Sequence, residues 1–216
     1  MQDGISRFIE EHSADTDVFC FQEVYENMKV LCEKLLPDHK EIVAYKHIGI
    51  ENDFPQATYS RKSLNLLSSE VVLDNQPGVG LGIYTQIQLG DQLVHVCNFH
   101  GSARPGDKLD TKERIEQSDR LIDFFKDKKG SKIIGGDFNL FPETKSLRMF
   151  GEGGYRDLIK DFKIPTTRNR LTWEMYPDNK QYYSDYVFVS PEVKVKSFSV
   201  PNLEISDHLP LLLEID

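Results

Sequence analysis

The chain has 216 residues, 39% of them hydrophobic and 28% charged, which suits a globular protein with one sizeable core; no linker, repeat or low-complexity stretch divides it, so one domain over 1–216 is expected. A formal net charge of −9 argues against indiscriminate binding to a nucleic-acid backbone, where a basic surface supplies most of the affinity, but not against a phosphate-bearing substrate, because carboxylates that collect a divalent cation attract anions. No apolar run approaches the ~20 residues of a membrane span and no basic-then-apolar leader opens the chain, while Cys20, Cys32 and Cys97, odd in number and in apolar contexts, predict reduced core thiols in a cytoplasmic protein.

Ile5, Phe8 and Ile9 recur at helical spacing and predict a helix over 3–12, broken by Ser13–Asp17. Val18–Phe21 is continuously apolar, which predicts a short strand buried on both faces. It leads into Gln22-Glu23-Val24. A carboxylate at the exit of a buried strand is costly unless it is paired or ligates a cation; Glu23 is either such a ligand or a solvated loop residue. Asn27–Leu36 predicts a second helix, with Met28, Leu31 and Leu35 on one core-packing stripe and Pro37-Asp38 closing it. Residues 40–62 are mixed and aromatic and yield no definite element. Leu64–Leu73 predicts a strand, Pro77-Gly78 a turn, and Gly82–Leu89 a strand joined through Gly90-Asp91 to another at Leu93–Phe99.

That last strand runs into Asn98-Phe99-His100, where the histidine is structural or catalytic. The loop Ser102–Asp110 carries Arg104 and Lys108. Asp110, with Glu113 three residues on, predicts a capping-box-like helix start; Ile115, Ile122 and Phe125 form its buried face and Gly130 its end. Arg114 and Gln117 fall in its first turns, as surface groups or as phosphate contacts.

The stretch from Lys132 to Pro142 organises the rest. Ile133 and Ile134 read as the end of a buried strand, and Gly135-Gly136 allows a close backbone approach. Asp137 and Asn139, two apart in an extended segment, would then share one face. An anion and an amide facing one spot suit a metal-bound phosphate or an activated water; a polar turn is the plainer reading. Residues 143–163 read as helix and loop, and 166–170 is basic. Tyr182–Val189 predicts a strand with Asp185 buried among aromatics. Val193–Val200 predicts a further strand, and after Ser206-Asp207-His208 the chain closes in Leu211–Ile215.

Glu23, His100, Asp137, Asn139, Asp185 and Asp207-His208 thus stand at or near strand ends along one alternating chain. Hard oxygen ligands without a Cys or His cluster suit Mg²⁺ or Mn²⁺ and not structural zinc. A serine-hydrolase reading of Ser206-Asp207-His208 is disfavoured, because triads assemble from distant positions and no Gly-x-Ser-x-Gly elbow is present.

Five stretches, Phe21-Gln22-Glu23-Val24, Asn98-Phe99-His100, Gly136-Asp137-Phe138-Asn139, Ser184-Asp185-Tyr186-Val187 and Ser206-Asp207-His208, occur in that order across nearly the whole chain. In them the sequence resembles the endonuclease/exonuclease/phosphatase superfamily of metal-dependent phosphoesterases. The resemblance implies a four-layer α/β sandwich, two mixed sheets face to face with helices outside and the site at one end. It implies Glu23 as the principal Mg²⁺ (or Mn²⁺) ligand, assisted by Asp207. Asp137 would orient and deprotonate the attacking water, and Asn139 would hold water or phosphate. His208 would contact the phosphoryl oxygen, oriented and kept charged by Asp185. His100 would hold a non-bridging oxygen. Apart from the resemblance, Arg104 on the loop Ser102–Asp110 and Arg114 beside it are the expected substrate contacts. Family members normally begin with a strand carrying an Asn; here a helix follows Met1 at once, and the expectation is that this strand is encoded upstream.

The expected activity is that of a cytoplasmic, Mg²⁺-dependent phosphodiesterase of nuclease type, with nucleic acid among the candidate substrates. The alternatives are a lipid or inositol-phosphate phosphoesterase, or a catalytically silent scaffold. Substrate identity is expected to lie in loops 40–62, 101–110 and 163–181.

Overall fold

The computed structural model describes residues 2–47, 53–73 and 80–216. The chain opens with α1 (Gln2–His12), β1 (Val18–Phe21), α2 (Glu26–Leu35), β2 (His39–His47) and β3 (Asp53–Arg61). It continues through β4 (Asn65–Val72), β5 (Leu81–Leu89), β6 (Gln92–His100), α3 (Lys112–Lys126) and β7 (Ser131–Asp137). The last part holds α4 (Lys145–Glu152), β8 (Arg156–Asp157), α5 (Leu158–Asp161), α6 (Arg170–Met175), β9 (Asp185–Val189), β10 (Val195–Ser199) and β11 (Leu212–Ile215).

Mixed and antiparallel sheets lie between helices, as the sandwich reading requires. A six-stranded sheet runs in the order β4-β5-β6-β7-β9-β8 and a three-stranded one in the order β1-β3-β2. Strands β6 and β7 pair parallel; the other pairs in the large sheet are antiparallel. The small sheet is wholly antiparallel, not mixed, and β10 and β11 form a separate antiparallel pair. Residues 40–62, unassigned from sequence, are mostly the β2–β3 hairpin, in register from His39↔Arg61 to His47↔Asp53.

Two apolar layers cover the outer faces. Ile9 of α1 and Cys32 and Leu36 of the α2 end pack on Phe19, Ala57 and Tyr59 of the small sheet. On the far side, Leu121 and Phe125 of α3 and Leu147 and Phe150 of α4 pack on Tyr84, Cys97, Phe99, Ile134 and Phe188. Between the sheets the contact is partly polar. Because side chains alternate along a strand, β3 sends Ala57 and Tyr59 outward and Gln56, Thr58 and Ser60 inward, all buried. Asn98 of β6 joins the sheets: its Nδ2 donates to the carbonyls of Ala57 (3.0 Å) and Phe21 (3.2 Å), and its Oδ1 accepts from Gln22 Nε2 (2.5 Å). The Gln56 amide donates to the Asn98 carbonyl (2.6 Å). This polar clamp sits just behind the strand ends that carry the motif residues.

Several expectations are corrected. Strand β1 is not buried on both faces: Phe19 is buried, but Cys20 is exposed on a strand at the sheet edge, so only Cys32 and Cys97 are core thiols. Helix α3 is capped by Thr111, whose side chain accepts from Arg114 N; Asp110 instead caps α4, accepting from Lys145 N (2.6 Å) and Ser146 N (2.9 Å). That helix ends at Lys126, before Gly130. The tyrosines at 182 and 183 precede β9 and do not belong to it. The Pro77-Gly78 turn lies outside the described residues.

Candidate active site

Sheet register assembles the site. His100 at the end of β6 is paired with Asp137 at the end of β7, and Asp137 with Asp185 at the start of β9. Three motif residues thus form a row across adjacent strands ~4.8 Å apart. Gly136 permits this spacing. It adopts φ +139, and a Cβ there would lie 2.0 Å from the carbonyl oxygen of Phe99 on β6.

Asp137 is buried, and its Oδ1 accepts from Asn139 N (2.8 Å) and Ser184 Oγ (2.5 Å). The first of these bonds is an Asx turn. Asn139 is therefore not on an extended face with Asp137; it sits in the left-handed region at φ 55. Its Oδ1 accepts from the buried ammonium of Lys108 (2.6 Å), which also donates to Ser184 Oγ (3.0 Å). Burial alone would raise the pKa of Asp137; the His208, Lys108 and His100 charges and the Ser184 hydroxyl hold it well below the usual carboxylate range. Burial lowers the Lys108 pKa, opposed by Asp137.

His208 lies between two carboxylates. Its Nδ1 meets both oxygens of Asp185 (2.9 and 3.0 Å), and its Nε2 is 3.8 Å from Asp137 Oδ2. Burial disfavours the charged imidazole, but Asp185 and Asp137 raise its pKa, with Arg168 working the other way. Arg168 NH1 is 2.7 Å from Nε2, its NH2 donates to Asp207 Oδ2 (2.9 Å), and its Nε donates to Thr172 Oγ1 (3.1 Å). An antiparallel bridge between Arg168 and His208, and the Asn169 amide on the Ser206 carbonyl (2.6 Å), lock the two loops together. Thr167 completes this floor, its hydroxyl accepting from Ser184 N and Asp185 N.

Glu23 is exposed, at φ 57. Partial burial of its carboxylate raises the pKa; His208 pulls it down, and Asp137 and Asp207 push it up again. Glu23 is thus electrostatically part of the group. Asp137, Asp185 and His208 each offer a ligand atom within 4.8 Å of one another. Clustered carboxylate oxygen, with Asp137 and Asp207 both acting on Glu23, fits a hard divalent cation.

The other expected substrate contacts fall elsewhere. Arg114 is buried and ties down the loop before α3, donating to the carbonyls of Ser102 (3.1 Å), Pro105 (2.5 Å) and Leu109 (2.5 Å). Gln117 accepts from Ser102 N in the same loop (3.3 Å). Both anchor this loop. Arg104 is exposed on that loop, before a cis peptide to Pro105. Lys108, Ser184 and Arg168 are the site residues to which the sequence reading gave no role. Lys108 and Arg168 were visible only as members of basic segments.

The sequence pattern of the Endonuclease/Exonuclease/phosphatase family matches residues 2–208. The chain belongs to this family. No curated protein matches it in sequence. Among solved structures, an endonuclease/exonuclease/phosphatase from Bacteroides vulgatus superposes with a TM-score of 0.80 at 18% identity, covering 100% of this chain and 89% of that one. The human Nocturnin catalytic domain with bound sulfate gives 0.76 at 18%, covering 100% and 86%. D. rerio TDP2 complexed with a single-strand DNA product gives 0.71 at 16%, covering 99% and 92%. Within the endonuclease/exonuclease/phosphatase family, whose chemistry is phosphoester hydrolysis, the residues described above stand at one end of the shared sheets.

Proposed function

We propose that this protein is a divalent-metal-dependent phosphodiesterase of nuclease type. The observation that carries the reading is the line Asp185–His208–Asp137, an imidazole hydrogen-bonded to one buried carboxylate and 3.8 Å from another. In-line attack on a phosphodiester needs a positioned water and positive charge at the equatorial oxygens. Asp137 and His208 face one region and provide for both.

Asp137 is held ionised and is a weak base for that reason, so its part is to accept a hydrogen bond from the attacking water and orient it. Asn139, fixed by Lys108, and His100, beside Asp137, bound the same region. Asp185 fixes the imidazole through Nδ1 and so aims the Nε2 edge, beside Arg168 and Asp137, at the phosphoryl group. Glu23 and Asp207 would hold Mg²⁺ or Mn²⁺. When bound, the cation supplies Lewis acidity and lowers the pKa of water. Arg104 is retained as a peripheral substrate contact. Three free cysteines fit a reducing, cytoplasmic setting. The relative with a single-strand DNA product supports nucleic acid as a substrate.

The test is a panel of bis-p-nitrophenyl phosphate, single-stranded DNA and RNA, p-nitrophenyl phosphate and inositol phosphates, each with Mg²⁺, Mn²⁺ or EDTA. Diester cleavage that requires metal and falls ~10²-fold or more in Asp185→Asn is expected. Monoester-only turnover would replace the diester reading. No turnover on any substrate would leave a binding protein.

A further inference from the structure

We propose that Arg168 is a phosphate-binding residue of this site, donating its spare N–H groups to the phosphoryl group that His208 meets. The inference rests on the phosphoesterase reading and extends it to a residue outside the recognised motifs.

Three observations lead to it. First, Arg168 is placed with unusual precision. Its side chain is 8% exposed, and all three guanidinium nitrogens are engaged, by Thr172, His208 and Asp207. The Thr172 hydroxyl that takes Nε is itself fixed, donating to the Asp207 carbonyl at 2.8 Å. Side-chain entropy of the arginine is therefore already lost before any ligand arrives, which favours recognition. Second, a guanidinium has five N–H donors. One each on Nε, NH1 and NH2 is used, so each terminal nitrogen keeps one donor without a protein partner among the described residues. A buried donor is normally matched by an acceptor, and these two lie beside the imidazole and Asp207.

Third, NH1 is bonded to the atom that faces substrate. Its 2.7 Å contact places a guanidinium nitrogen directly beside His208 Nε2. A phosphoryl group at the imidazole lies within reach of the spare donors on NH1 and NH2, and the planar fork of arginine matches adjacent phosphate oxygens. One Asp207 oxygen holds NH2 in place. Lysine would keep the charge but lose the fork and the Thr172 anchor.

Inorganic phosphate, titrated by calorimetry into the whole chain with Mg²⁺ and again in EDTA, tests the assignment. Wild type is expected to bind, Arg168→Met to bind at least tenfold more weakly, and Arg168→Lys to recover part of the loss. Asp207→Asn breaks the same ion pair but keeps the guanidinium; in EDTA it should bind phosphate at least as tightly as wild type. Thermal melting of each variant checks folding. The proposal is overturned if Arg168→Met binds within twofold of wild type, if wild type binds no phosphate, or if Asp207→Asn weakens phosphate in EDTA as much as Arg168→Met does. Failure of the parent reading looks different. In that case wild type turns over no phosphoester, yet phosphate affinity still depends on Arg168.

Discussion

At Gly136 the backbone has φ +139 and approaches Phe99 so closely that no side chain fits. Gly136→Ala combines an unfavourable backbone with a steric clash against a paired strand, and each contribution is of order 1–3 kcal/mol. A loss of ~3 kcal/mol or more in urea denaturation is expected; a change within 0.5 kcal/mol would show that the strand end relaxes freely. The need for glycine was legible in the sequence, because two glycines before an acid at a strand end have few other uses. Asp137 and Asn139 were legible as partners too, but their geometry was not. The carboxylate bonds the Asn139 amide and turns the chain left-handed, which defeats the two-residue alternation of an extended segment. Lys108 and Arg168 escaped assignment for another reason. Lys108 meets Asn139 and Ser184, 31 and 76 residues away, and Arg168 meets Asp207 and His208, 39 and 40 away, and sequence displays a cation without showing what it meets.

Among the elements, α4 depends on a residue from another loop. Thr144 precedes it without a side-chain cap, and Asp110 takes its first free N–H groups and the Ser146 hydroxyl (2.6 Å) instead. Burial would raise the Asp110 pKa, but the Ser146 side chain and the Ser146 and Lys145 backbones together hold it down. Asp110→Ala should cost ~1 kcal/mol at pH 7. The sign of the pH effect follows from the lowered pKa. The stabilisation is complete above the unfolded carboxylate value of about 4 and is lost as pH falls through the folded one. The gap in melting temperature between wild type and Asp110→Ala should therefore narrow below pH ~4; a constant gap would assign the effect to packing. Strands with apolar runs were legible, as were α1 to α3 within a few residues. The β2–β3 hairpin was not. Strand β3 buries Gln56, Thr58 and Ser60 between the sheets and Ala57 and Tyr59 under the helices, so the inner face reads as polar when it is core.

On the scale of the whole molecule, the sheets are joined by an amide as well as by apolar packing. Asn98→Leu would strand Gln22, the Thr58 hydroxyl and the carbonyls of Phe21 and Ala57. At 1–3 kcal/mol for each buried group left unsatisfied, a net loss of ~3 kcal/mol is expected, with the urea midpoint falling and the slope unchanged. A lowered slope would mean that the sheets part before the molecule unfolds. The layer order was legible from the family resemblance, whereas the separation of β10–β11 from the three-stranded sheet was not. Glu23, Lys108 and Asn139 hold their side chains on a left-handed backbone. Among the described residues five non-glycines adopt positive φ, and these three belong to the site. Each side chain in that conformation costs ~1 kcal/mol that glycine would not incur. Laboratory evolution for heat tolerance alone would therefore favour glycine at positions whose side chains the proposed chemistry requires. Survival at high temperature and turnover would be opposing selections, and only a screen that scores both would keep the enzyme.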